Sequence, residues 1–160
     1  MKKALALLAL TVSTLVFSGC ADSPPSYDQV RDEANGVLQQ VVNLVPDPKE
    51  VIPTEEFEPY SCDDKLIFGT RRGSFYTGQW AVYVDDTFDI PSFIARFPDL
   101  LGNGWQTQDL DVPVNFAQVY LVREDPRMSL GISERTIDGR KAIDLLAISR
   151  CGILPETPAP

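Results

Sequence analysis

The chain has 160 residues, with 14 Lys and Arg against 23 Asp and Glu, no histidine, and a net charge of −9. Nucleic-acid binding needs clustered cations to neutralise phosphates, so this balance excludes it. The missing histidine excludes Ser-His-Asp and Cys-His nucleophile systems and histidine-based metal sites.

At the start of the chain, Lys2 and Lys3 precede an unbroken apolar and small-residue run over 4–17, and then come Ser18, Gly19 and Cys20. A basic start, a short apolar stretch and small residues before a cut make an export signal. The run is shorter than the ~20 residues that span ~30 Å of hydrocarbon as a helix. These residues resemble the signal of a bacterial lipoprotein of the signal peptidase II type, in which Cys20 is lipidated and becomes the first mature residue. The bulky apolar position three residues before the cysteine, commonly Leu, is Phe17. The resemblance implies a protein lipid-anchored to the extracytoplasmic face of the cell membrane through acyl chains of the palmitate kind, two or more of which make anchoring stable. The alternatives are an ordinary secretory signal cut near Gly19 and an uncleaved anchor.

The leader holds two lysines and no carboxylate, so residues beyond 19 carry twelve cations against 23 acids, a net −11 over 141 residues. That length fits one domain with its own core, and the charge argues against a polybasic contact with anionic lipids. With Cys20 assigned to lipid, Cys62 and Cys151 remain as an even pair in an oxidising compartment, which predicts a disulfide.

Residues 20–25 read as a lipidated tether with a reach of at most ~20 Å. Ser26 has the character of an N-cap, with Gln29 at the capping-box position. Tyr27, Val30, Ala34, Val37, Val41 and Leu44 follow at helical spacing. Gly36 weakens that helix by up to ~1 kcal/mol, and Pro46 and Pro48 end it. The Pro- and Glu-rich stretch 46–59 reads as a surface connection. A short strand is expected at 66–68 and a stronger one at 75–84. A second helix is expected over 90–101, capped by Asp89, with Pro91 tolerated in its first turn and Pro98 kinking or splitting it. Gly102 and Gly104 supply its exit. Strands at 105–110, 116–123, 127–135 and 142–149 then form an antiparallel meander. Met128, Leu130 and Ile132 alternate with Ser129, Gly131 and Ser133, whereas 119–122 and 143–148 are apolar on both faces, which suggests central strands.

The expected fold is α+β, a two-layer sandwich with an antiparallel sheet of about five strands and two helices on one face. Its boundaries are a signal peptide at 1–19, the tether at 20–25, a single domain at 26–154 and a Pro-rich tail at 155–160.

No catalytic residue, metal ligand or cofactor motif emerges. Gly102-Asn103-Gly104 is a helix exit and no phosphate loop. The acidic pairs Asp63/Asp64, Asp85/Asp86 and Asp109/Asp111 read as solvated, turn-flanking carboxylates; glycoside hydrolysis needs two at a defined separation in a cleft. Leu154-Pro155-Glu156-Thr157 resembles the start of a sortase signal, but Pro158 stands where glycine is required. Phe75 and Tyr83 are the candidate binding residues. On the sheet face away from the helices they would form an apolar patch for a partner or lipid-like ligand, unless loops or the 46–59 segment cover them.

In outline the chain resembles small actinobacterial lipoproteins: lipobox cysteine, polar tether, amphipathic helix, a cysteine before the first strands, a second helix ending in Gly104-Trp105, a hairpin-rich sheet, and a last strand running into Cys151 and prolines. That resemblance implies an envelope location and brings no enzymatic residues. The expected function is a membrane-anchored, non-enzymatic domain that binds an envelope protein or ligand. The alternatives are a lipid-like ligand held in a pocket between helices and sheet, and a carboxylate-based cell-wall hydrolase.

Overall fold

The computed structural model describes residues 23–62, 73–102 and 104–155. The leader, Cys20, the strand expected at 66–68, Asp63/Asp64 and residues 156–160 lie outside the described residues. Helix α1 spans Tyr27–Leu44. Its first turn closes because Ser26 is extended and its Oγ accepts the Gln29 backbone N–H at 3.1 Å. Val30, Ala34, Leu38 and Val41, three or four residues apart, are fully buried. Helix α2 spans Ile90–Leu101, with Asp89 accepting from Ser92 N–H at 3.1 Å. Of the two effects expected of Pro98, it does not split the helix, which runs through it. So near the C-terminal end it forfeits one ladder bond, and buried Phe97 and Leu101 on either side hold the last turn in the core.

The described strands number seven rather than about five: β1 (Lys49–Pro53), β2 (Tyr60–Cys62), β3 (Gly73–Val84), β4 (Gln106–Thr107), β5 (Gln118–Glu124), β6 (Arg127–Ile137) and β7 (Arg140–Ile153). They form one antiparallel sheet in the order β1-β3-β7-β6-β5-β4, with β2 also pairing β3. The 46–59 segment is therefore more than a surface connection. Lys49 and Pro53 bracket a five-residue edge strand in which Val51 pairs with buried Val82, and charge and proline at its ends are what edge strands carry. Strand β4 is only two residues long where six were expected.

Both helices lie on the same face. Val82, Leu145, Leu130 and Leu121 point to that face from four neighbouring strands and share one core with α1 and α2. Helix α1 covers β3 and β7, and α2 covers β5 and β6. Met128, Leu130 and Ile132 are the dry positions of β6, as their alternation predicts.

One irregularity organises the β3–β7 pair. Thr77 pairs with Ile148 but Phe75 pairs with Cys151, so Ser149 and Arg150 together oppose Tyr76. This β-bulge reverses which residues face the helices. Before it, Ile143, Leu145 and Ala147 face α1; after it, Gly152 does, and Cys151 turns away. The bulged backbone is satisfied by a side chain: Tyr76 N–H donates to Ser149 Oγ at 2.9 Å, and that hydroxyl donates to the Arg150 carbonyl at 2.7 Å. Arg150 reaches Glu33 on α1 at 2.7 Å. Beyond the bulge the backbone of α1's cap lies directly on the strand. Ile153 N–H donates to the Pro25 carbonyl at 2.8 Å, and a Cβ on Gly152 would stand 2.6 Å from the Ser26 carbonyl oxygen.

Two tyrosines seal this corner. Tyr27 donates to Glu56 at 2.8 Å and Tyr76 to Asn35 at 2.9 Å, with their rings edge to face at 6.4 Å. Burial raises the pKa of both, and for Tyr27 the hydrogen bond to the Glu56 carboxylate adds to the rise. The neutral phenols thus contribute stability that is complete below the ordinary value of 10.0 and is lost as pH rises through the folded values. In an absorbance titration Tyr27 and Tyr76 are expected to ionise only together with alkaline unfolding, and Tyr27→Phe should remove one such late-titrating phenol. Replacing Ser149 by Ala leaves the buried Tyr76 N–H unpaired, which should cost about 1–3 kcal/mol in urea unfolding; an unchanged midpoint would refute the bulge's dependence on that hydroxyl.

Candidate functional site

The face of the sheet away from the helices carries Tyr60, Phe75, Thr77, Gln79 and Tyr83 from β2 and β3, and Asp144, Leu146, Ile148 and Cys151 from β7. No helix covers it among the described residues.

The expected disulfide forms on this face. Cys62, paired with Gly73, and Cys151, paired with Phe75, lie on opposite sides of β3 with Cα atoms 6.3 Å apart. Two inter-strand spacings of a flat sheet amount to roughly 9.6 Å, so the sheet curls inward at this end. Gly73, with no side chain, is the β3 residue paired with Cys62 on that face.

Phe75 and Tyr83 do share this face, as supposed, but they do not form one patch. Seven residues of β3 lie between them, and each has its own cover. The Tyr83 ring is 7% exposed beneath the Arg140 guanidinium, 4.1 Å from its centroid, and Glu50 on β1 holds that guanidinium at 2.6 Å. Phe75 stacks on Tyr60, with centroids at 5.3 Å and planes 11° apart, and Tyr60 is 50% exposed. The 46–59 segment thus covers Tyr83 through Glu50.

Beside Phe75 lies a groove of about 730 Å³. Its floor comprises Phe75, Ile148, Val122 and Tyr120, and its rim is the β5–β6 hairpin with Glu124, Asp125 and Arg127. Pro25, just before the α1 cap, forms part of its wall. Tyr120 is paired with Gly131, and a Cβ there would lie 3.8 Å from Tyr120 Cδ2. The ring therefore leans across a position with no side chain. Tyr120, Val122 and Ile148 were missed as site residues. Their signal was present: 119–122 and 143–148 are apolar on both faces. For β7 this does reflect a central strand, but β5 is next to the edge, and the second apolar row of both strands builds the groove floor.

Two carboxylates of this face are matched by arginines. Glu50 pairs with Arg140, and Asp144 lies 3.8 Å from Arg135 and accepts from Gln79 at 3.0 Å. Elsewhere the acidic pairs serve turns and caps. Asp85 accepts from the Thr87 hydroxyl and N–H, Asp89 from those of Ser92, and Asp109 from Asp111 N–H. The hydrogen bonds from Thr87 and Ser92 hold Asp85 and Asp89 below the usual carboxylate range. Among the described residues no group of three or more His, Cys, Asp and Glu is arranged to hold a metal, and no helix is long and apolar enough to cross a membrane.

No protein-family model matches the chain, and no curated protein or solved structure is significantly similar to it.

The bridge closes an 89-residue loop, for which chain entropy gives roughly 4–5 kcal/mol. Cys62→Ser/Cys151→Ser should lower unfolding stability by up to that amount. Thiol labelling of the unfolded, unreduced wild-type chain should find neither Cys62 nor Cys151 free.

Proposed function

We propose that the chain is a lipid-anchored lipoprotein of the cell envelope, without enzymatic activity, that uses the uncovered sheet face to bind a partner or ligand. One observation carries this: the groove on that face begins at Pro25, five residues after Cys20. An extended segment of that length reaches about 18 Å, so lipid on Cys20 keeps the groove close to the bilayer surface. The half-exposed apolar floor next to a charged rim has the anatomy of a recognition surface.

A pocket between helices and sheet has less support, because Leu38, Phe97, Leu121, Leu130 and Leu145 fill that layer at full burial. A carboxylate-based hydrolase also has less support, since one member of each described acidic pair, Asp85 and Asp109, is engaged in a turn.

Fractionation of the producing cells tests the anchoring. Wild-type protein is expected in the membrane fraction and to partition into detergent, and Cys20→Ala in the soluble extracytoplasmic fraction. If Cys20→Ala stays with the membrane, the lipid anchor is wrong.

A further inference from the structure

We infer that the groove on the outer sheet face binds a neutral polysaccharide chain, with Tyr120 and Phe75 as stacking platforms for two of its sugars. The inference rests on the binding role proposed for this face and names the class of ligand.

Four observations carry it. Tyr120 leans over Gly131, and Phe75 lies parallel to Tyr60. Both rings line the same groove and are partly buried, Phe75 with one face against Tyr60. The apolar C–H face of a sugar packs on the face of such a ring, whose quadrupole is negative above and below the plane.

Phe75 on β3 and Tyr120 on β5 are three strand spacings apart, roughly 14 Å across the sheet. One small molecule does not touch both, but a chain of sugars does.

Between and beside the rings the groove offers Ser129 and Gln108 along with Val122 and Ile148. This mixture suits hydroxyl-rich ligands better than an acyl chain, which would leave those polar groups facing hydrocarbon.

Charge fits as well. In a domain of net −11, the groove itself is lined by Arg123, Arg127 and Arg150 against Glu124 and Asp125, and Arg150 is already taken by Glu33. An anionic ligand gains no surplus of cations there, and a neutral one meets no repulsion. An extended peptide is disfavoured for a separate reason. The backbone N–H and C=O groups of β3, β7 and β6 are used within the sheet, so its face offers no main-chain partners for strand addition.

The test is affinity electrophoresis of the full chain, extracted from membranes in detergent, through gels containing a linear glucan, a mannan or an arabinan. At least one polysaccharide should retard wild type. Tyr120→Ala should weaken that binding roughly tenfold, equivalent to about 1.4 kcal/mol. Tyr120→Phe, which keeps the ring and loses only the hydroxyl, should retain it. Unchanged far-ultraviolet circular dichroism and an intact disulfide show that the variants are folded. Failure of all three polysaccharides to retard wild type overturns the inference, as does retardation that Tyr120→Ala leaves unchanged. Wild type and Tyr120→Ala are then titrated with a fluorescent fatty acid and a proline-rich peptide. Tyr120-dependent binding of either one without polysaccharide binding overturns the ligand class while leaving the binding role of the face in place. If nothing binds in a Tyr120-dependent way, both fail.

Discussion

The two-residue bulge in β7 is the constraint on which the two-faced arrangement depends. A strand alternates strictly, so without the bulge Cys151 would share a face with Leu145 and Ala147, beneath α1. There it would be out of reach of Cys62, and Gly152 would point away from the helix backbone it has to admit. Opposing Tyr76 with both Ser149 and Arg150 reverses the order for the rest of the strand. The disulfide, the close seat of the α1 cap and the Arg150–Glu33 ion pair all follow from that change of parity. The Ser149 hydroxyl keeps the irregularity hydrogen-bonded, so the exception costs the core no orphaned donor.

From this division come two surfaces of different chemistry. The helix layer turns Asp28 and Asp32 of α1 to solvent, which keeps an acidic protein dispersed. The outer sheet face presents matched charges, amides, hydroxyls and stacked rings. Arginine has two uses there: Arg140 and Arg135 pair with carboxylates and also lie over Tyr83 and Phe116. A planar guanidinium does both at once, which an ammonium does less well.

Much of the fold was legible in the sequence, for local reasons. Ser26 and Asp89 mark helix starts by the hydrogen bonds their side chains make, and the buried stripes of α1 and α2 have the period of a helix. The cysteine pairing follows from counting. What escaped was set by tertiary context. Strand β1 contains Pro53 and lies among prolines and glutamates, and only pairing with β3 makes it a strand. The bulge adds one residue to a continuous run of strand-forming residues, and nothing in 140–153 announces where the extra residue falls. Phe75 and Tyr83 were rightly placed on one face, but a cover supplied by Arg140 and Glu50, 90 positions apart in the chain, is invisible to local patterning. Apolar residues on both sides of 119–122 signalled a central strand when they marked the floor of a groove.

The parallel contact between Ser26 and Ile153, with Ile153 N–H bonded to the Pro25 carbonyl, puts the two ends of the described chain at one corner. It also determines how the domain responds to mechanical force. Tension on the chain before α1 enters at Pro25, where a single short bridge meets it. If the opposing pull acts on the segment after Ile153, that bridge peels open one bond at a time. The disulfide at Cys151 then stops the tear from that end two residues further in, and the strands between Cys62 and Cys151 are shielded. Opposed pulls along β3 and β7 instead shear their long ladder, whose bonds must break together. The domain is thus soft where its two described ends meet and stiff along its central strands.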